Sequence, residues 1–479
     1  MVLCARPAPA ADASGWENLF DGRSLDGWLA AEHPASFRVE DGAILCDGPR
    51  AHLFYAGASG DATFDDFALS FEVRTETGAN SGVFFHTAFQ EAGWPEAGFE
   101  VQVNNSQKQH GDYRENKKTG SLYGIRNVYK TLAADDAWFT VHVVVRRPRV
   151  EIRVNDVLVV DYVEPAFPLP EGAPKLNALG RGTFALQAHD PQSRVRYRNL
   201  RVKRLAPGVS TVSDAGPLGA ADLQRLALGK DNFPLLDLHT HLKGDLTLDR
   251  ALALSRRTGM ALGIATNGGQ GFPMQTDKMA TAFLDAHRDV PAFLALQAEG
   301  REWVGMFSPA VRARFDYIFS DAMTYTDAAG RRMRLWIPEE TVVGPDVDAF
   351  MDYLTEQTVS IIRDEPIDIY VNPTFLPQAI AARYDELWTD ARMQRIIDAA
   401  VAHGVAIEIN ARYRLPSERF LQLAHAAGAR FSIGTNNARA DDFGDWTYPL
   451  EMQRKLGLTW KDMYVPGHAP SRAQRALQR

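Results

Sequence analysis

Seven short apolar runs in the second half of the chain each end in a polar residue. They span residues 234–239, 261–266, 292–298, 315–320, 367–371, 405–409 and 431–435. At or just past their ends stand His239 and His241, Asn267, Glu299, Asp321, Asn372, Glu408 with Asn410, and Asn436. Helical patterns separate most of the runs. After the first, Thr247 is placed to cap a helix whose one face carries Leu248, Ala251, Leu252 and Ser255, and Gly259 ends it. This alternation predicts an α/β fold, a seven-stranded parallel (β/α) barrel, with its active site at the C-terminal ends of the strands.

The first half follows a different period. Phe67, Leu69, Phe71 and Val73 alternate with polar or small residues, as do Phe139, Val141, Val143 and Val145. Period 2 marks half-buried strands. Residues 150–162 read as a hairpin turning at Asn155-Asp156. Many short strands and little helical periodicity predict an all-β sandwich or jelly roll over residues 16–204. Residues 205–232 are rich in Pro, Gly, Ser and Ala, which predicts a linker. The barrel then occupies 233–465, and the basic end SRAQRALQR predicts a frayed tail.

Of the 479 residues, 45% are hydrophobic and 23% charged, ordinary for a globular protein. A net charge of −8 offers no electrostatic footprint for nucleic acid. No apolar run approaches the roughly 20 residues that span a bilayer. Cys4 and Cys46 are too few for a disulfide framework. The Ala/Pro-rich start resembles the cleavage end of a secretory signal without its apolar segment. Export to the periplasm or medium is the expectation, a cytoplasmic location the alternative.

In Gly98-Phe-Glu-Val-Gln-Val-Asn104, Glu100, Gln102 and Asn104 point away from Phe99, Val101 and Val103. Such a polar row is a solvated face or a ligand cleft. Nearby Gly78-Ala-Asn-Ser-Gly-Val-Phe-Phe-His86 adds Asn80, Ser81, His86 and aromatics, the mixture a sugar needs. Further motifs occur in order: Trp16-Glu-Asn-Leu-Phe-Asp-Gly, Phe37-Arg-Val-Glu-Asp-Gly42, Asn80-Ser-Gly-Val-Phe-Phe85, Gly98-Phe-Glu-Val-Gln102 and Gly120-Ser-Leu-Tyr123. Together they resemble the 3-keto-disaccharide hydrolase domain over about residues 16–204. The resemblance implies a concanavalin-like jelly roll acting on 3-keto-glycosides. A ketone at C3 acidifies the C2 proton, so a base, an enolate stabiliser and a proton donor suffice to expel the aglycone. Glu100 and His86 are the acid–base candidates, with Gln102 beside them. Asn80, Ser81, Asn104, Tyr123 and the loop residue His110 are candidates for substrate binding.

Leu236-Asp-Leu-His-Thr-His-Leu242 puts His239 and His241 on one side of a strand end, where two imidazoles can chelate one metal. This resembles the polymerase and histidinol phosphatase (PHP) barrels, whose seven strands hold up to three metals. Where that family usually carries Asp, His or Asp-x-His, this chain has Asn267, Asn372 and Asn436-Asn437-Ala438. Amides are poor ligands for zinc or iron. At most one divalent metal, zinc, manganese or iron, is expected on His239, His241 and Glu299; a metal-free pocket is the rival. Glu408 is a further candidate for base or ligand. Lys243, Arg301, Asn410 and Asn436 are candidates for substrate binding, and Arg412 and Arg414 stand near them. No nucleotide cofactor is expected.

Three functions compete. The first is cleavage of 3-keto-glycosides by elimination and hydration, the barrel acting on the same sugar or its aglycone. The second is a carbohydrate-binding jelly roll fused to a metal-dependent hydrolase or phosphoesterase barrel. The third is a non-catalytic sugar-binding protein.

Overall fold

A computed structural model describes residues 14–57, 62–107, 111–208, 218–327 and 329–478. The signal-like tail with Cys4, and the loop residue His110, lie outside the described residues. The chain divides into two compact units. One runs to Leu235 and includes Ser255–Ala261, and the other comprises Leu236–Leu254 and Leu262–Arg479.

The first unit is all-β apart from short helical segments. Its strands are β1 (Glu17–Asn18), β2 (Trp28–Ala31), β3 (Phe37–Glu40), β4 (Ala43–Asp47), β5 (Ala51–Tyr55), β6 (Phe67–Thr75) and β7 (Asn80–Thr87). They continue with β8 (Phe99–Asn104), β9 (Phe139–Arg146), β10 (Arg149–Val154), β11 (Val157–Val163), β12 (Thr183–Ala188) and β13 (Arg194–Arg204). One sheet has the order β11-β10-β9-β6-β13-β4-β3, with β1 on β13; the other has the order β2-β5-β12-β7-β8. The jelly-roll-like arrangement follows from alternation. Phe67, Phe71, Val141 and Val143 of the first sheet and Phe85, Val101, Val103 and Leu186 of the second share one core. Burying each such side chain stabilises the fold by about 1.5–3 kcal/mol. The hairpin β10–β11 turns at Asn155 and Asp156, both with positive φ (47° and 67°), as a tight two-residue turn demands.

The stretch read as a linker is not without structure. Its described second part holds a helix, Ala220–Lys230, with Leu226 buried, and Asp222 in the first turn accepts from the Gly219 backbone amide at 2.9 Å. Asn232 follows, and its side chain accepts from the Asn116 amide at 3.1 Å and donates to the Arg114 carbonyl at 2.6 Å. Leu223 and Leu226 at i,i+3 were the helical signal, and the flanking Gly and Pro obscured it. Residues 209–217 of that stretch lie outside the described residues.

The second unit is the predicted barrel. Strands β14 (Leu236–His241), β15 (Ala261–Gly268), β16 (Phe293–Ala298), β17 (Tyr317–Ser320), β20 (Ile369–Tyr370), β21 (Ala406–Asn410) and β22 (Phe431–Gly434) close in that order. The pairs are parallel, and β14 meets β22 at Asp237 and Ile433. A small hairpin, β18 (Thr324–Thr326) with β19 (Arg332–Arg334), follows β17. Helices Leu248–Thr258, Asp277–Ala286, Val347–Asp364, Asp390–His403 and Glu418–Ala426 lie between strands. Thr276, Asp346, Thr389 and Ser417 cap four of them through side-chain oxygens. The C-terminal tail is ordered, not frayed. Residues Arg472–Leu477 form a helix, and Arg472 donates from its backbone to Asp368 at 2.8 Å and from its guanidinium to the Ile362 carbonyl at 2.6 Å.

Candidate functional site

The second sheet of the β unit turns one face away from the shared core. Two rows of side chains cross it. The first runs Glu100, Phe84, Ala185, Phe54, Leu29, each the register partner of the next on the adjoining strand. In the second, Gln102 pairs with Gly82 of β7, and Gln187 of β12 pairs with His52, which pairs with Ala31. Gly82 has a definite task. A Cβ there would overlap the Glu100 carboxyl, so the missing side chain lets Glu100 lie across β7. Its Oε1 then accepts from Gln187 Nε2 on β12 at 3.4 Å. Burial and the charge of Glu115 push the Glu100 carboxyl up to about 8.

Buried amides lie beside it. Gln102 Nε2 donates to Asn80 Oδ1 at 2.7 Å, and Asn80 Nδ2 donates to Gln107 at 3.3 Å. Glu115 forms a second cluster. It accepts from Tyr123 at 2.9 Å, from Tyr113 at 2.5 Å, and from Lys117 Nζ at 3.3 Å. Lys117 is fully buried and stands 4.3 Å from the Tyr123 ring centre.

Several expected site residues are engaged by the scaffold instead. His86 takes a positive φ of 54° at the strand end and packs against Phe67 and Phe85. Its Nδ1 accepts from the Gly180 amide at 3.3 Å, so Nε2 carries the proton and donates to the Asp65 carbonyl at 2.7 Å. Both ring nitrogens are occupied and burial lowers its pKa, so it serves the scaffold. Ser81 faces inward by alternation, donating to the Gln187 carbonyl at 2.6 Å and lying 2.7 Å from Tyr197 Oη. Asn104 donates to the Glu115 and Lys117 carbonyls at 3.3 and 2.8 Å, which anchors the following loop. Tyr123 is turned to Glu115. Three residues on or near the face had not been singled out: Gln187, His52 and Glu115. Register across strands distant in sequence places them, and no local motif marks it.

In the barrel, the strand ends do converge, but as an amide network. His239 Nδ1 lies 2.6 Å from Glu408 Oε1, and both side chains are 1% exposed. Glu408 Oε2 accepts from the Asn372 amide at 2.8 Å and from Asn410 Nδ2 at 2.9 Å. Asn410 and Asn436 both donate to Asn372 Oδ1, at 3.0 and 2.9 Å, while Asn372 Nδ2 donates to Asp321 at 2.9 Å. Gly434 is needed here, since a Cβ would overlap both Glu408 and His239. Burial raises the pKa of both Glu299 and Asp321.

The residues of the expected metal set are partly engaged by the protein's own hydrogen bonds. Glu299 accepts from Asn267 at 2.8 Å and from Thr324 at 2.9 Å, one donor on each oxygen. His239 Nδ1 is directed at Glu408, which leaves its buried Nε2 without a hydrogen-bond partner, and His241 Nδ1 faces the Ala265 carbonyl at 3.2 Å. Among the described residues no three of His, Cys, Asp and Glu form a group able to hold a metal ion. Arg301 is likewise engaged, with Glu365 at 2.7 Å and Ser320 and the Asp321 carbonyl at 3.2 Å. Lys243 stays exposed.

Residues 15–203 match the model of the 3-keto-alpha-glucoside-1,2-lyase-like domain. A 3-keto-disaccharide hydrolase of Bacteroides thetaiotaomicron is 32% identical over 81 residues, 15% of this chain. The chain spans only 28% of that relative's length. A solved candidate glycosyl hydrolase from Parabacteroides distasonis is 21% identical, with 41% of this chain and 96% of that one covered and a TM-score of 0.35. A carbohydrate-binding module from Bacillus subtilis is 12% identical, with coverages of 37% and 95% and a TM-score of 0.26. The N-terminal unit is thus a 3-keto-disaccharide hydrolase-like domain. Among the described residues no helix is long and apolar enough to cross a membrane.

Proposed function

We propose that the β unit cleaves the bond between a 3-keto sugar and its aglycone by elimination followed by hydration. The observation that carries this reading is the Glu100 carboxyl, laid across Gly82 on the outer face of the second sheet and pushed up by burial to about 8. The family match and the similar B. thetaiotaomicron protein support it. An ordinary carboxylate is a weak base for a carbon acid. One whose pKa lies near the working pH is better matched to the transfer.

The steps balance as follows. Glu100, as carboxylate, takes the C2 proton, and the C–H electrons form the C2–C3 enolate. The C1–O bond then breaks, its electron pair leaves on the aglycone oxygen, the C1–C2 double bond forms and the C3 ketone returns. The Glu100 carboxyl gives the proton to the departing oxygen. Water then adds across C1–C2, hydroxyl to C1 and hydrogen to C2, for net hydrolysis. Gln187 holds the carboxyl, and the Gln102–Asn80 pair lies beside it on the same face.

For the barrel the supported reading is a PHP-like scaffold whose pocket acts on the same sugar or its aglycone. Its buried carboxyls, imidazoles and amides suit polyol recognition and proton transfer, and the pocket is read as working without a metal because among the described residues no three of His, Cys, Asp and Glu group to hold one. Export is the proposed location, on the N-terminal tail taken together with the family resemblance.

The test is an assay of the full chain on matched 3-keto and unoxidised glycosides. Release of aglycone from the 3-keto form alone supports the reading. Equal release from both, or from neither, refutes it.

A further inference from the structure

The row that begins at Glu100 changes character at once. Past Glu100 it holds Phe84, Ala185, Phe54 and Leu29, with no polar side chain among them. Ala31, Phe54, Phe84 and Ala185 form an apolar cluster of their own, separate from the core between the sheets. Two exposed aromatics stand next to it. Phe89 is 50% exposed and meets Phe54 edge-on at 5.4 Å; Trp94 is 46% exposed and meets His52 edge-on at 5.7 Å. Arg50, paired with Glu32 at 2.9 Å, lies 5.2 Å from the Trp94 ring centre. Exposed aromatics at this density beside a polar site mark a binding surface.

The polar supply on this side is small. Arg50 is taken by Glu32, and His189 by Asp190 at 2.6 Å. What remain are His52, 1% exposed, whose Nε2 has no hydrogen-bond partner, and Oε1 of its register partner Gln187, which also has none and lies on the Glu100 side. Burial keeps this imidazole neutral, so it offers a single hydrogen bond. A second sugar here would leave most of its hydroxyls unpaired, a costly outcome. An aryl group would need one polar contact, at the oxygen that links it to the sugar.

We infer that the face is divided, with the keto sugar at Glu100 and an aromatic aglycone against the exposed rings of Phe89 and Trp94, beside the buried Phe54 and Phe84, its linking oxygen toward His52 Nε2. Calling the occupant an aglycone rests on the proposed cleavage; the preference for an aryl glycoside does not.

Binding and cleavage therefore separate the two ideas. Calorimetry with the full chain would compare phenyl glucoside with a disaccharide of two glucoses. Phenyl glucoside should bind about tenfold more tightly, the worth of one or two aromatic contacts. Phe89→Ala and Trp94→Ala, at exposed positions, should each remove most of that preference. Equal affinity for the two ligands, or a preference untouched by both substitutions, would overturn the inference. If phenyl glucoside is preferred but no 3-keto-glycoside is cleaved, the subsite stands and the catalytic reading falls. If 3-keto-disaccharides are cleaved without any aryl preference, the reverse holds.

Discussion

The Glu100 carboxyl occupies the space that a side chain at Gly82 would fill. Gly82 has no φ constraint that demands glycine; its smallness is what matters, because it lets a carboxylate from β8 reach Gln187 two strands away. Gly82→Ala should therefore displace Glu100 and lower turnover of a 3-keto-glycoside by about 10²-fold or more, the range lost with a positioned acid–base group. Far-ultraviolet circular dichroism and the melting temperature should stay near wild type. Wild-type turnover in Gly82→Ala would disprove the placement.

A raised carboxyl pKa fixes the sign of two pH effects. If Glu100 acts as the base, kcat/KM rises with pH and levels off above about 8. A profile that falls through the same range would make it an acid instead. Stability runs the other way. Between its usual value and about 8, the folded state holds a proton that the unfolded state has lost, so this group's contribution declines as pH rises. Glu100→Gln should then melt a few degrees above wild type at pH 8, with the gap closing toward pH 5, as roughly 1 kcal/mol would produce.

His86 gives a contrasting case. Its ring links Asp65 and Gly180, so His86→Ala should cost about 1–3 kcal/mol in a denaturant titration while folded protein keeps most of its activity. A stable but inactive variant would restore it to the catalytic machinery.

What could be read in advance divides along one physical line. Period 2, the Asn155-Asp156 turn and the seven apolar runs are local signals, and each matches an element. Glu100, Gln102 and Asn80 were also legible, since alternation along one strand sets their side. Ser81 follows that same alternation to the inner side and could have been excluded by it. His86 could not, because its positive φ breaks the period at the strand end. Gln187 and His52 reach the site only through the pairing of β12 with β5 and β7. Lys117 was illegible for another reason: a lysine in a charged loop is ordinarily solvated, and only the Glu115 and Tyr123 contacts explain its burial.

In the barrel, His239 and Glu408 form a buried pair behind Gly434. Glu408→Ala removes the carboxylate that also binds Asn372 and Asn410, so a loss of about 3–5 kcal/mol is expected on unfolding by denaturant. Chelator or added zinc should leave the melting temperature of wild type within about 1 °C, because a ligand that does not bind the native state cannot stabilise it. A zinc-dependent rise abolished in His239→Ala would restore the metal site.

The central claim is proton abstraction at C2 by Glu100, and isotope exchange reads it directly. A 3-keto-glycoside incubated in deuterium oxide with the full chain should yield a 3-keto sugar carrying deuterium at C2, seen by proton NMR. With Glu100→Gln, both release and C2 labelling should fall by about 10²–10⁴-fold. Aglycone release that leaves the C2 proton in place, or labelling undiminished in Glu100→Gln, would contradict the mechanism.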